Sequence, residues 1–253
     1  MSVQGTRIAL VTGGSHRLGA VICRVLAGRG WKIVIHCKTG GPDADALAAE
    51  LGGWVLPLDL QGDNPGELIA QTRALVGGPI DALVNNAAIF DLDDLDALSP
   101  DKLEAHWRVN LRAPMLLSEA FAAQAQGPER SIIVHILDQK IANPNPDFPS
   151  YTAAKAGLAG MVAPMALGYR EKCRVVGVAP GLLFPSYDQT DTEFETVSAL
   201  NLLGRPINAA EVAEVVAFVL DAPVLTGQIL FADNGQHLVR SERDIMFLTR
   251  EKE

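Results

Sequence analysis

Short apolar runs alternate with amphipathic segments along the whole chain, and no other feature constrains its fold as much. The runs at 8–11, 32–36, 53–58, 82–84, 131–137, 174–178 and 228–231 read as strands. Segments 18–29, 43–51, 65–76, 100–123, 151–169 and 209–220 read as helices. This is the pattern of a parallel sheet buried under helices, because βαβ crossovers cover both faces. It predicts an α/β fold with a doubly wound, seven-stranded parallel sheet. No repeat, low-complexity tract or linker divides the 253 residues, so one domain over 1–253 is expected. Residues 182–203 show weak periodicity and are expected to form a substrate loop.

Charge and cysteine usage exclude some functions. A formal charge of −9 argues against a nucleic-acid surface and against anionic membranes, and leaves room for one local basic pocket for phosphate. Cys23, Cys37 and Cys173 show neither disulfide nor metal-site spacing. Cys23 and Cys37 lie in apolar segments and are expected to be buried thiols, which suits a reducing cytoplasm. The chain enters a strand almost at once, without a signal-peptide core, and no apolar run reaches the length of a membrane span.

Chemistry concentrates at the ends of the predicted strands. Thr12-Gly13-Gly14-Ser15-His16-Arg17-Leu18-Gly19 follows the first strand and opens the first helix. Glycines there let backbone N–H groups approach a diphosphate at a helix N-terminus. The second strand ends in His36-Cys37-Lys38-Thr39, with no carboxylate before Asp43. A carboxylate would hold a ribose 2′-hydroxyl and repel a 2′-phosphate, whereas Lys38 and Thr39 suit the phosphate. The fifth run ends at Asp138, a Pro-rich loop follows, and Ser150 is expected to cap the next helix. Tyr151 and Lys155 stand at i and i+4, on one face of that helix. An ammonium beside a phenol favours phenolate and makes the phenol a usable proton donor. The carboxylate-rich run 91–96 reads as a solvated loop, His106 and Trp107 as packing residues, and His135 as a satisfied interior histidine. The histidines show no metal-ligand spacing, and no metal site is expected.

The Tyr-x-x-x-Lys pair, thirteen residues after Asp138, resembles the short-chain dehydrogenase/reductase family, whose domain is a Rossmann fold. The resemblance runs in order through most of the chain. It implies that Asp59-Leu60 meets the adenine, that Asn86, Ala87 and Ala88 border the cofactor, and that Pro180, Gly181 and Leu182 flank the nicotinamide. Gly13, Ser15, His16, Arg17, Leu18 and Gly19 would hold the phosphates, and His36, Lys38 and Thr39 the 2′-phosphate end. Asn110 would bend its helix and connect Lys155 to a proton relay. Three features are together similar to the pteridine reductase branch: Arg17 where the middle glycine usually stands, Phe90 past the fourth strand, and Asp138 in place of a serine; Ala88 in place of a glycine is also similar to that branch. In that branch an aromatic residue at the place of Phe90 stacks on the pterin.

The resemblance implies hydride transfer from NADPH to a dihydropterin or dihydrofolate. Tyr151 would supply or relay the proton, Lys155 would bind ribose hydroxyls, and Asp138 would orient the relay. Arg17, Phe90, Asp138 and Tyr151 would contact substrate. An ionised Asp138 only accepts hydrogen bonds and would repel an alkoxide. Three readings therefore stand: reduction of a C=N bond, a protonated Asp138 that mimics serine, or a non-catalytic NADP-binding sensor. Retention of Tyr151, Lys155 and Asn110 argues against the sensor. The runner-up activity is reduction of a ketone. Family resemblance also implies a homotetramer packed through the helices that carry Asn110 and Tyr151.

Overall fold

The computed structural model describes residues 6–185 and 189–248. The seven predicted runs all become strands: β1 Ile8–Val11, β2 Lys32–Cys37, β3 Trp54–Pro57, β4 Ala82–Asn85, β5 Ile132–Ile136, β6 Arg174–Pro180 and β7 Ile229–Ala232. They form one parallel sheet in the order β3-β2-β1-β4-β5-β6-β7. Successive side chains point to opposite faces. Leu10, Leu83 and Ile133 therefore meet the layer of α3 Glu67–Val76, α5 Ala113–Gln124 and α6 Pro149–Gly168. Ala9, Val84 and Val134 meet α1 Arg17–Gly28, α2 Pro42–Leu51 and α8 Ala209–Asp221. Both faces are dry, which is why the strand runs read as nearly continuous apolar sequence.

The order reverses between β1 and β4, and chains leaving these two strands diverge to opposite faces. The crevice left at their C-terminal ends is the ligand position of open α/β sheets.

Two predicted segments differ in detail. The helix expected over 100–123 is α4 Pro100–His106, a π-helical turn Trp107–Arg112, and then α5. Pro114 explains the turn: it has no N–H to offer the carbonyl of Asn110 four residues earlier, and its ring crowds that carbonyl. Residues 182–203, expected to be irregular, include helix α7 Asp191–Ser198. A capping box starts it: the Thr190 hydroxyl accepts from the Glu193 N–H, and the Glu193 carboxylate accepts from the Thr190 N–H. Thr190-x-x-Glu193 was the available sequence signal. Residues 186–188 of that expected loop lie outside the described residues.

Candidate active site

A cavity of ≈ 620 Å³ opens along the C-terminal edge of the sheet. It runs from Lys38 and Asp59, past the glycine turn after β1, to Asp138, Tyr151 and the end of β6. Most of the predicted cofactor residues line it: Gly13, His16, Arg17, Leu18, Gly19, His36, Lys38, Asp59, Leu60, Asn86, Ala87, Ala88, Tyr151, Lys155, Pro180, Gly181 and Leu182. Ser15 and Thr39 stand beside it without lining it.

Local bonds fix the cofactor end. The Thr12 hydroxyl accepts from the N–H groups of Asn86 and Ala87 at 2.9 and 3.0 Å, tying the turn after β1 to the turn after β4. The Asn86 amide donates to the carbonyls of Thr12 and Gly13. Gly13 has φ +60, and a Cβ at Gly19 would stand 2.1 Å from the Gly13 oxygen, so both positions require glycine. His36 is buried, with Nδ1 accepting from the Gly13 N–H (3.2 Å) and Nε2 donating to the Leu58 carbonyl (2.8 Å). Its two nitrogens are thus committed to the protein, and its effect on a cofactor is exerted through the turn it holds. Helix α1 begins without a capping side chain and without an acidic residue in its first turn. Its first N–H groups are therefore left to an anion.

Arg17 has φ +50, the left-handed region suited to the glycine it replaces. Its guanidinium donates to the Pro185 carbonyl at 2.9 Å and lies 5.2 Å from the Phe184 ring centroid. Lys38 Nζ meets Asp59 Oδ2 at 3.2 Å, in a pair exposed enough to contribute little by itself. The donor set fits a 2′-phosphorylated dinucleotide: free helix N–H groups in the middle, and at the ribose end a lysine directly after β2, which itself ends without a carboxylate, the one nearby carboxylate being Asp59 after β3.

Helix α6 brings the other predicted residues together. Tyr151 and Lys155 are both buried. The Tyr151 hydroxyl donates to Asp138 Oδ2 at 2.8 Å, and Asp138 Oδ1 accepts from the Lys140 N–H at 2.8 Å. Lys155 Nζ donates to the Ile136 carbonyl at 2.7 Å. The expectation that the ammonium lowers the phenol pKa is overturned. Burial, then the charge and hydrogen bond of Asp138, push the Tyr151 phenol well above its usual range. Burial also raises the Asp138 carboxyl and lowers Lys155 to about 8. The nearest charge to the phenol oxygen is a carboxylate, so the pair holds protons instead of shedding them.

Asn110 does not line the cavity. Its amide accepts from and donates to the main chain of Ile89, both at 2.9 Å, and no direct bond joins it to Lys155 among the described residues. It positions the strand-end segment that carries Phe90. Phe90 lines the cavity, with its ring stacked on Phe148 at 4.1 Å and edge-on to Tyr151 at 4.7 Å.

The sequence profile of the short chain dehydrogenase family matches residues 7–205. The chain belongs to that family. It is an oxidoreductase. A crystal structure called FolM alternative dihydrofolate reductase 1 from Brucella canis, complexed with NADP, superposes with a TM-score of 0.87 at 33% identity, covering 94% of this chain and 97% of that one. Pteridine reductase 1 of Leishmania tarentolae is 29% identical, over 92% of this chain and 97% of its own length. Carbonyl reductase family member 4 of Danio rerio is 32% identical, over 92% and 99%.

Within this short-chain dehydrogenase, several site residues escaped sequence reasoning. Ser150 is not the cap of α6: the helix starts at Pro149, and Phe148 precedes it at φ 55. Asp93, in the run taken for a solvated loop, is buried, and its carboxylate accepts from the Ser150 N–H and hydroxyl. A carboxylate at that helix N-terminus is favourable and fixes the first turn, which carries Tyr151. His106, as expected, packs inside, accepting from the Asp91 N–H and donating to the Lys102 carbonyl. His135 is interior but only half satisfied: Nδ1 meets the Asn85 amide at 3.2 Å, and Nε2 has no partner among the described residues. Gln236 accepts from the Leu182 N–H at 2.9 Å and pins the end of β6. Lys140, Asp244 and Ile245 also line the cavity.

Proposed function

We propose that the protein is an NADPH-dependent reductase of a dihydropterin or dihydrofolate. The observation that carries this reading is the bond between the buried Tyr151 and a half-buried Asp138. A carboxylate that accepts from the phenol offers no donor to a ketone oxygen while ionised. Once protonated, it serves a nitrogen that must gain a proton. Bound NADPH supplies the hydride. The chain's own residues would hold the cofactor and move the proton: Lys155 would meet the ribose hydroxyls, and protonated Asp138 would donate to the Tyr151 oxygen as the phenol proton passes to substrate. Phe90 offers a ring face to a flat heterocycle, and Arg17 a guanidinium to its polar edge or to the phosphates. The relatives called pteridine reductase and dihydrofolate reductase support this assignment, and the NADP in the Brucella canis structure supports the cofactor.

The decisive experiment follows NADPH oxidation with dihydrobiopterin, dihydromonapterin, dihydrofolate and a panel of small ketones, side by side. Turnover of a dihydropterin or dihydrofolate well above every ketone is expected. Ketone turnover with no pteridine activity overturns the proposal in favour of the carbonyl reading, which the Danio rerio relative favours. Asp138→Ser separates the two further, by lowering pteridine turnover and opening weak carbonyl reduction.

The same reading covers the substrate loop within 182–203, a reducing cytoplasm and a homotetramer. Cys23, Cys37 and Cys173 are free and buried, and burial pushes the Cys23 and Cys173 thiols up to about 12, which suits a reducing compartment. Ala153, Ala156 and Gly160 leave a small exposed face on α6, whereas Gly157 packs against Leu111 inside the subunit. Light scattering at micromolar concentration tests the assembly, and a monomer mass refutes it.

A further inference from the structure

The proton chemistry above depends on what surrounds Asp138, and part of that surrounding comes from the far end of the chain. Residues 239–248 run back over the loop that follows β5. The Asn143 amide donates to the Val239 carbonyl at 2.8 Å, and Arg243 Nε donates to both Asp147 oxygens at 2.9 Å. Met246 is buried among the aromatic residues, and the Phe247 ring stacks on Phe148 at 5.9 Å.

Lys140 joins this segment to the site. It is only 3% exposed. Its main-chain N–H donates to Asp138 Oδ1 at 2.8 Å, and its ammonium donates to Asp244 Oδ2 at 2.8 Å. One buried residue therefore holds both carboxylates, and Asp138, Lys140, Tyr151 and Asp244 all line one cavity.

We propose that Asp244, paired with Lys140, is a positioning residue that sets the charge state of the Asp138–Tyr151 pair and hence the pH range in which that pair releases a proton. The groups facing Asp138 are Tyr151 and Lys155 from α6, the Lys140 main chain beside it, and Asp244 from the C-terminal segment. A second carboxylate disfavours ionisation of the first, and Lys155 opposes it. Burial raises Asp138 most, and Asp244 adds to the rise. This inference deepens the reductase reading and rests on it only for its kinetic arm.

The test titrates the protonated carboxyl of Asp138 by infrared difference spectroscopy in the NADP-loaded enzyme, with Asp138→Asn assigning the band. Asp244→Asn removes the opposing charge and leaves Lys140 unopposed, so the midpoint is expected to fall by roughly half to one pH unit. Lys140→Met leaves Asp244 uncompensated, and the midpoint is expected to rise. Lys140→Arg is expected to restore the wild-type value. If the segment only shields Asp138 from water, both disruptive variants admit water and both midpoints fall; that result, or two unchanged midpoints, overturns the inference. In the kinetic arm, the alkaline limb of kcat is expected to move with each midpoint. An enzyme without pteridine turnover refutes the reductase reading alone, because the carboxyl titration still decides the role of Asp244.

Discussion

Replacing Arg17 by glycine separates a structural role from a ligand role, because the structural effects nearly cancel. Arginine at φ +50 costs about 1–2 kcal/mol that glycine does not incur. Glycine gives back roughly 0.5–1 kcal/mol through the greater freedom of the unfolded chain. The lost bond to the Pro185 carbonyl contributes about 1 kcal/mol at an exposed site. The 5.2 Å contact with Phe184 contributes about 0.5 kcal/mol. The net change in folding stability therefore lies between about zero and a loss of about 1.5 kcal/mol. Ligand affinity has no such compensation. Loss of a guanidinium facing phosphate or a polar substrate edge is expected to weaken binding about tenfold, about 1.4 kcal/mol. Urea unfolding measures the first quantity; NADPH fluorescence titration and the KM for dihydropterin measure the second. A stability loss above about 3 kcal/mol would show Arg17 to be a strut for the 182–185 segment. Unchanged ligand constants would show that the guanidinium faces neither ligand.

Lys38→Asp places a second carboxylate beside Asp59 at the ribose end, and is expected to erase or reverse the preference for NADPH over NADH in paired dissociation constants; a retained preference means another residue reads the phosphate. Tyr151→Phe keeps the ring contact with Phe90 and removes the transferable proton, so turnover should drop about 10²-fold or more with cofactor affinity nearly unchanged. Phe90→Ala should weaken dihydropterin binding by about 1–2 kcal/mol, roughly 5- to 30-fold in dissociation constant, and leave NADPH affinity alone; an equal loss for both ligands would mark Phe90 as packing only. His135 concerns stability. Burial lowers its pKa from 6.5 to about 3, so the unfolded chain binds the extra proton as pH falls below about 6.5. Stability held above that value is lost downward, by about 2 kcal/mol at about pH 5 from 1.36 kcal/mol per unit. Urea unfolding of His135→Gln should show a pH 5 to 7 dependence shallower by about that amount, and an unchanged slope refutes the assignment.

What the chain determined locally was legible in its sequence. Seven strands, their parallel order of burial and the glycine turn depend on contiguous residues, because a strand, its turn and the next helix follow one another. Lys38, Asn86 and Pro180 were found for the same reason: each sits at a strand's C-terminal end. Even two overlooked elements had local signals, Thr190 and Glu193 for α7 and Pro114 for the π-helical turn. The proton-transfer half of the site is different. Asp93 reaches Ser150 across 57 positions, and Lys140 reaches Asp244 across 104. A carboxylate in a run of carboxylates reads the same whether it is solvated or caps a buried helix. The pKa of Tyr151 was misjudged for that reason. Tyr-x-x-x-Lys fixes which side chains share a helix face, but only the packed structure decides that Asp138 lies at the phenol oxygen and that the phenol is buried there. Ionisation depends on the field and solvent of the folded site, and these are properties of residues brought together from both ends of the chain.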